Sequence, residues 1–476
     1  SELGKRIKGD LRKAIQKEVL SKKRSIDLLQ EEKILHEAFI KRCTSGYWGR
    51  DKQIERLTQY IKSDNNKIAV IAGAPGIGKS SFLAKWYEQY SQHNQDDYIL
   101  PHFIGASPKS TQLEKLLSRL CKELKQEFKL DPDSKISNDL KELSEIFRNF
   151  LYSVDKQNKR IIIIIDGLNQ LDKSHNSHLL EWLPQFSSLK KVKLLVSTLN
   201  GTCLNVLEQR KIEKIDLEDL STEEQMKIIE KTLERYHKKL SNCHQNLLLK
   251  KQGIKNPLFL RVTLEELRIF GSEKGLRNKI EKLPEKVDEL FENVLGRIER
   301  DQEKNLVKDM LCLLACSRYG LQESEIQELL KDPNTQVRLP YSHWERLHRA
   351  LEPYLVQRGN LFYFFHTQLH DAVTRHYRKK KTDLKKYHQQ LADYFEKAPD
   401  IRKVVELSYQ LQQAEEWERL ANLLSNLDFL ELATPDWDFI EIEKYWLAIG
   451  NRADPVKLYQ RALKNSEEEQ RHLEKM

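Results

Sequence analysis

One eight-residue segment constrains this chain more than anything else in it. Residues Gly73-Ala74-Pro75-Gly76-Ile77-Gly78-Lys79-Ser80 satisfy the spacing G-x-x-x-x-G-K-[ST] at every fixed position. The apolar run from Lys67 to Ala72 before it reads as a strand, and an amphipathic helix is expected from about Ser80. A loop of this kind between a strand and a helix suits phosphate oxygens. Its glycines let backbone N–H groups converge, and the helix N-terminus adds the positive end of a dipole. Lys79 is expected to reach the β- and γ-phosphates of a nucleoside triphosphate. The Ser80 hydroxyl is expected to hold Mg2+, and Ser81 to bond a further phosphate.

The surrounding pattern agrees. Ile99 to Ile104 reads as a second strand and Lys193 to Ser197 as another. Ile161 to Ile165 is a run of β-branched residues ending at Asp166, as expected of a strand buried on both faces of a parallel sheet. Thr111-x-x-Glu114 reads as a capping box before a helix carrying Leu113, Leu116, Leu117 and Leu120. Strands alternating with helices predict a parallel α/β domain with helices on both faces. Asp166, at a strand end downstream of the loop, is then the carboxylate expected to hold Mg2+ with Ser80.

Beyond about residue 210 strands nearly vanish from the pattern. Leu220 to Phe270 and Val287 to Leu330 read as helical, a strand-like patch spans Leu361 to Phe365, and 383–476 is helical again. The expected organisation is a helical linker over 1–44, an NTP-binding domain over 45–210, a helical domain over 211–285, a mixed segment over 286–380 and a helical region over 381–476. Apolar residues make up 39% and charged residues 32% of 476, a wet, helix-rich composition. The net charge of +9 is mild for this length, so nucleic acid is not the expected partner. The basic run Arg378-Lys379-Lys380-Lys381 reads as a solvated helix end. Six cysteines contain no CxxC pair, and Cys312 and Cys316 lie in an apolar helix as core residues, which points to a reducing cytoplasm. No apolar stretch has the length of a membrane span. A start at Ser1 and an end inside a charged helical pattern suggest an excised piece of a longer protein.

These motifs resemble the STAND class of P-loop NTPases, and within it the NACHT type, over most of residues 20–430. Asp166-Gly167 is similar to the end of that family's buried strand. Tyr47-Trp48-Gly49-Arg50 is similar to its V-G-R element, which would set Trp48, Gly49 and Arg50 against the base. Asn256-Pro257-Leu258 is similar to its G-x-P helix start, whose proline, here Pro257, would pack on adenine. Pro101 to Ser107, Gly320 to Ile326 and Phe364-Phe365-His366 are similar to the subgroup that includes telomerase-associated protein and nephrocystin-type proteins. The last two segments imply a winged-helix domain over 286–380, ahead of a TPR-like region. In relatives the histidine at His366 touches the β-phosphate of ADP and locks a closed state. A packed histidine, or a metal pair with His370, are the other readings of His366.

Two departures bear on turnover. The acidic residues that many NACHT proteins carry beyond the Asp-Gly strand end are replaced by Asn169 and Gln170. An amide orients a water but is a poor base. Gln170 and Asp172, the nearest carboxylate, are the remaining candidates beside Asp166 for handling the attacking water. Leu199 and Asn200 stand where relatives place an arginine, leaving Ser197 or Thr198 as a neutral γ-phosphate sensor. Binding of ATP or ADP with Mg2+ is therefore expected, with slow hydrolysis. The function implied is a nucleotide-controlled switch of the innate-immunity or antiviral-defence type. It would self-associate on activation, sense a protein trigger through its C-terminal helices and drive an effector upstream of residue 1. A steady-turnover loader or remodeller, and a nucleotide-stabilised scaffold, are the alternatives.

Overall fold

A strand covered on both faces needs apolar side chains at successive positions, because its neighbours alternate between two cores. The computed structural model shows this directly. It describes residues 28–473 apart from 64–66, 132–135, 138, 158, 271, 333–334, 379–382, 399–401 and 434–438. The chain folds as two compact units. One comprises the residues up to Lys239 with Lys255–Leu258, and the other Leu240–Ile254 with Phe259 onward.

The described part of the first unit runs α1 (Leu28–Thr44), α2 (Asp51–Lys62), β1 (Ile68–Ala72), α3 (Lys79–His93), β2 (Tyr98–Phe103), α4 (Leu113–Phe128), α5 (Leu140–Asp155), β3 (Ile161–Asp166), β4 (Val192–Thr198), α6 (Thr202–Glu208), β5 (Ile212–Asp216) and α7 (Thr222–Glu234). The five strands form one parallel sheet in the order β2-β3-β4-β1-β5. Ile161, Ile163 and Ile165 face a core shared with α4, α5 and α6, whereas Ile162 and Ile164 face one shared with α1, α2 and α3. All five are fully buried. The expected α/β sheet with helices on both faces is present, and the four expected strands stand within a residue or two of their expected limits.

Two sequence expectations are corrected. β5 is a further strand beyond 210; Glu213, Lys214 and Asp216 on this edge strand hide it in the sequence. The Thr111–Glu114 capping box does not form. A short 3-10 turn over Pro108–Thr111 comes first, α4 starts after Gln112, and Glu114 instead pairs with His175 at 3.2 Å. The serine pair that closes the turn is Ser107–Ser110, where Ser110 Oγ accepts from the N–H groups of Gly105 and Ser107 at 2.8 and 3.2 Å.

Helix α1 is docked through polar atoms as well as apolar ones. His36 Nδ1 accepts from the Phe103 N–H at 3.1 Å, the His36 and His102 rings lie 4.7 Å apart, and Ser107 Oγ donates to Glu32 at 2.8 Å. Burial, with His36 and Arg119 beside it, holds the His102 imidazole well below its ordinary pKa. Residues 1–27 of the expected linker lie outside the described residues.

The second unit contains α8 (Asn242–Leu249), most of α9 (Pro257–Ile269), α10 (Glu273–Glu281), α11 (Val287–Asp301), α12 (Lys304–Cys316), β6 (Leu321–Gln322), α13 (Glu323–Leu329), α14 (Tyr341–Leu351), β7 (Leu355–Arg358), β8 (Leu361–Phe364) and α15 (Thr367–Tyr377). Its small antiparallel sheet has the order β6-β8-β7. Only β8 was legible as a strand; β6 is two residues long and β7 four. Helices α16 (Lys385–Phe395), α17 (Ser408–Gln413), α18 (Trp417–Leu424), α19 (Leu427–Ala433), α20 (Phe439–Ile449) and α21 (Pro455–Leu473) follow. Each of α16, α17 and α18 packs on the next, and α18 also on α20. A wide π turn over Lys403–Leu407 leads into α17. Cys312 and Cys316 are buried in α12, as expected. Lys379 to Lys381 of the basic run lie outside the described residues.

Candidate nucleotide-binding site

β1 delivers the chain to the glycine loop and α3 carries it away. Gly73, Gly76 and Gly78 have φ of 152°, 76° and 92°, left-handed values that side chains resist. A Cβ on Gly73 would come within 2.9 Å of Ile77 Cγ2 and 3.0 Å of the Leu217 carbonyl, so this position is closed to larger residues. Ile77 is buried and pins the loop to the core beneath it. Ala74 and Pro75 are exposed, and Lys79, Ser80 and Ser81 are half-buried in the first turn of α3. The first N–H groups of a helix have no intrahelical acceptor, so the turn offers donors to an anion.

Lys79 Nζ donates to the loop's own carbonyls, Gly73 O at 2.8 Å and Ala74 O at 3.0 Å. Burial lowers its pKa to about 8, against the opposing pull of Asp166. Asp166 is 1% exposed. Its Oδ1 accepts from Ser197 Oγ at 2.5 Å, whereas its buried Oδ2 has no hydrogen-bond partner among the described residues. Burial raises its pKa, while the Ser197 bond, the nearby Ser80 hydroxyl and the charge of Lys79 lower it. A buried carboxylate with one unused oxygen, a serine on the adjoining helix turn and a lysine ammonium form the donor set that a Mg2+–phosphate group needs. The residues present fit that group.

The strand ends beside Asp166 are cross-linked by side chains. Ser197 Oγ, besides donating to Asp166, accepts from the Gly167 N–H at 2.8 Å. Its single proton is directed to the carboxylate. Thr198 Oγ1 donates to Leu199 O at 3.2 Å. Asn169 Oδ1 accepts from Leu199 N at 3.1 Å and ties the end of β3 to the end of β4. The Gln170 amide lies over Gly167 and Gly105. Asp172 is exposed, with its N–H on Thr111 O at 2.9 Å.

Two distant segments also meet the glycine loop. Asn256 Nδ2 donates to Pro75 O at 3.2 Å, Leu258 N to Gly76 O at 3.2 Å, and Pro257 Cγ lies 4.0 Å from where a Gly78 Cβ would sit. The expected G-x-P segment therefore reaches the loop. From the other segment, the Trp48 indole N–H is buried with no acceptor among the described residues. The Arg50 guanidinium is turned to backbone: its NH2 lies 3.2 Å from Ile77 O and 2.8 Å from Glu218 O. Both contacts are made by the same terminal nitrogen, NH2. Arg50 N donates to Glu224 Oε1 at 2.8 Å. Glu224 was not singled out in the sequence, although Ser221-Thr222-Glu223-Glu224 carries a capping-box signature.

His366 lies in the second unit, where its Nδ1 accepts from Gln368 N at 3.2 Å and caps α15. When neutral, a ring that accepts at Nδ1 carries its proton on Nε2. His370 reaches Ala315 O at 3.2 Å and Asp371 at 3.3 Å. No group of three metal-ligating side chains occurs among the described residues.

Comparison with known proteins agrees with this geometry. The chain matches the AAA ATPase domain family over residues 48–196 and the KAP family P-loop domain over 133–268. It is 26% identical to a TPR repeat-containing protein of Dictyostelium discoideum, over 94% of this chain and 31% of that protein. It is 25% identical to the human NACHT and WD repeat domain-containing protein 2, over 78% of this chain and 23% of that one. The chain is a P-loop NTPase-fold protein related to the NACHT-type proteins. Mouse nephrocystin-3 is similar at 25% identity, over 89% of this chain and 32% of that protein. Among solved structures, a STAND protein with a tetratricopeptide repeat sensor from Pyrococcus horikoshii shares the fold. Its TM-score is 0.54 at 16% identity, over 88% of this chain and 58% of that one. The chain thus spans about a third or less of the length of these curated relatives. No helix among the described residues is long and apolar enough to cross a membrane.

Proposed function

We propose that this P-loop module is a switch controlled by ATP and ADP with Mg2+, in which bound nucleotide sets a conformation and slow hydrolysis resets it. The observation that carries the reading is Asp166, a buried carboxylate held by Ser197 with one oxygen left over beside Ser80 and Lys79. Ser80 and Asp166 would hold the cation, Lys79 the β- and γ-phosphates, and the first N–H groups of α3 the remaining oxygens. Mg2+, when bound, would neutralise charge on the phosphates. Asn169 is spent on linking two strands, which leaves Gln170 and Asp172 near the strand ends to orient a water. That supports slow turnover over a steady motor, well below roughly 1 s⁻¹.

We read 286–380 as a winged-helix domain from its helix–helix–strand–helix–helix–strand–strand–helix order, and 381–476 as the start of a TPR-like sensor. Self-association, a protein trigger and an upstream effector complete the reading. A ligand shifts such a switch only through its different affinity for the two states. The test is calorimetry on Lys79→Ala and His366→Ala. Lys79→Ala is expected to weaken ATP about tenfold or more, about 1.4 kcal/mol; unchanged affinity would end the site reading. His366→Ala is expected to weaken ADP about tenfold while sparing ATP, as a hydrogen bond to a charged phosphate is worth about 1.5–3 kcal/mol. Equal losses for both nucleotides, together with lower thermal stability, would reduce His366 to the cap of α15.

A further inference from the structure

Arg50 is a buried cation, 4% exposed, whose guanidinium is turned to backbone carbonyls. One of those carbonyls, Ile77 O, belongs to the glycine loop; the other, Glu218 O, follows β5. The peptide unit is planar and trans, so the Ile77 C=O and the Gly78 N–H point in opposite directions. Holding that carbonyl toward Arg50 turns the Gly78 N–H away from Arg50. This peptide immediately precedes Lys79, and its N–H is one of the donors that the loop motif aims at phosphate.

The backbone of Arg50 is itself held in an unusual conformation. Gly49 and Arg50 have φ of 92° and 63°, and Arg50 is the residue that precedes α2. A left-handed arginine costs energy unless something holds it. Glu224 does so: its carboxylate accepts from the N–H groups of Arg50 at 2.8 Å and Ser221 at 2.9 Å. Burial raises the Glu224 pKa, but these N–H groups and the Arg50 charge outweigh it and hold the carboxyl below its usual value. A chain of contacts thus runs from α7 through Glu224 and Arg50 to the Ile77–Gly78 peptide.

We propose that Arg50, set by Glu224, is a positioning residue that fixes the phosphate-facing amide of the glycine loop and recognises no base. The proposal rests on the site reading above, and inorganic tripolyphosphate separates the two. A base contact cannot affect a ligand that has no base, whereas a loop brace affects it as much as it affects ATP. Binding of Mg2+–ATP and of Mg2+–tripolyphosphate to the full chain is measured by calorimetry, with folding checked by circular dichroism. Arg50→Ala is expected to weaken both ligands by the same factor, about tenfold. Arg50→Lys should recover part of that loss, because an ammonium offers no planar fork for two separate carbonyls. Glu224→Ala should weaken both ligands equally but less, and it serves as the test if Arg50→Ala does not fold. Loss of ATP alone, with tripolyphosphate unchanged, would overturn the brace in favour of a base contact. If Lys79→Ala abolishes both and Arg50→Ala and Glu224→Ala change neither, the brace fails while the site reading stands. Wild-type protein that binds neither ligand would sink both.

Discussion

Asp166 in the first unit and Glu406 in the second are both buried, 1% and 0% exposed, and burial raises the pKa of both. Their surroundings differ. Glu406, in the π turn before α17, accepts from the N–H groups of Arg318 and Tyr319 at 3.0 and 2.9 Å and from Gln410 Nε2 at 2.9 Å, with Arg402 NH1 3.6 Å away. Arg402 in turn bonds both oxygens of Glu325 and the carbonyl of Gly320. Both oxygens of Glu406 are therefore occupied. Asp166 uses one oxygen on Ser197 and leaves the other without a partner among the described residues. Folding selects for satisfied buried charge, because an unpaired one is costly. A carboxylate left half-satisfied inside a sheet marks a place where something else binds, and a fully satisfied one marks structure.

This comparison can be broken most directly at Glu406. Glu406→Ala strands the Arg318 and Tyr319 N–H groups in the interior and removes one of the two carboxylates beside Arg402. It should destabilise the second unit by about 3–5 kcal/mol. Equilibrium unfolding in urea would measure the loss, and a change below about 1 kcal/mol would show that the site relaxes and the contrast is false.

Asp166→Asn should behave in the opposite sense. It removes a poorly compensated charge, so the ligand-free protein should gain about 1–2 kcal/mol, while Mg2+ loses its effect on nucleotide affinity. The pH dependence carries a sign. A carboxyl whose folded pKa is raised binds more protons folded than unfolded between the two values. Stability attributable to it therefore falls as pH rises from the unfolded value near 3.8 through the folded one. The stability advantage of Asp166→Asn should then be largest at neutral pH and shrink on acidification. An advantage that does not vary with pH would mean that the carboxylate is not the source.

What the sequence disclosed and what it hid follow the same physics. The glycine loop, β1, β3, β4 and Asp166 were legible because doubly buried strands need unbroken apolar runs, and the loop needs glycine where φ is positive. β5 was not, since an edge strand tolerates Glu213, Lys214 and Asp216. Arg50 sits 168 residues from Glu218 in the chain, and no local pattern announces that contact. The π turn Lys-Val-Val-Glu-Leu at 403–407 reads like any amphipathic turn, and nothing in it says that Glu406 is fully buried. Ser197 was legible as a polar residue at a strand end, but the atom it bonds was not, because that depends on the register of β3 against β4.

Ser197 gives the smallest effect and the sharpest test of how Asp166 is held. If its hydroxyl sensed the γ-phosphate, Ser197→Ala would weaken ATP and spare ADP. The structure instead directs that proton to Asp166 Oδ1, while Ser197 Oγ accepts from the Gly167 N–H. Removing one such bond costs about 0.5–1.5 kcal/mol, so Mg2+-dependent binding should fall roughly tenfold or less. The loss should be equal for ADP and ATP, because the proposed Mg2+ ligand is disturbed and no phosphate contact is lost. It should vanish when affinity is measured in EDTA, and Ser197→Thr, which keeps the hydroxyl, should restore it. Ser197→Ala should also move the Asp166 carboxyl further up, since one of the groups lowering its pKa is gone. A selective loss of ATP would return Ser197 to the sensor role.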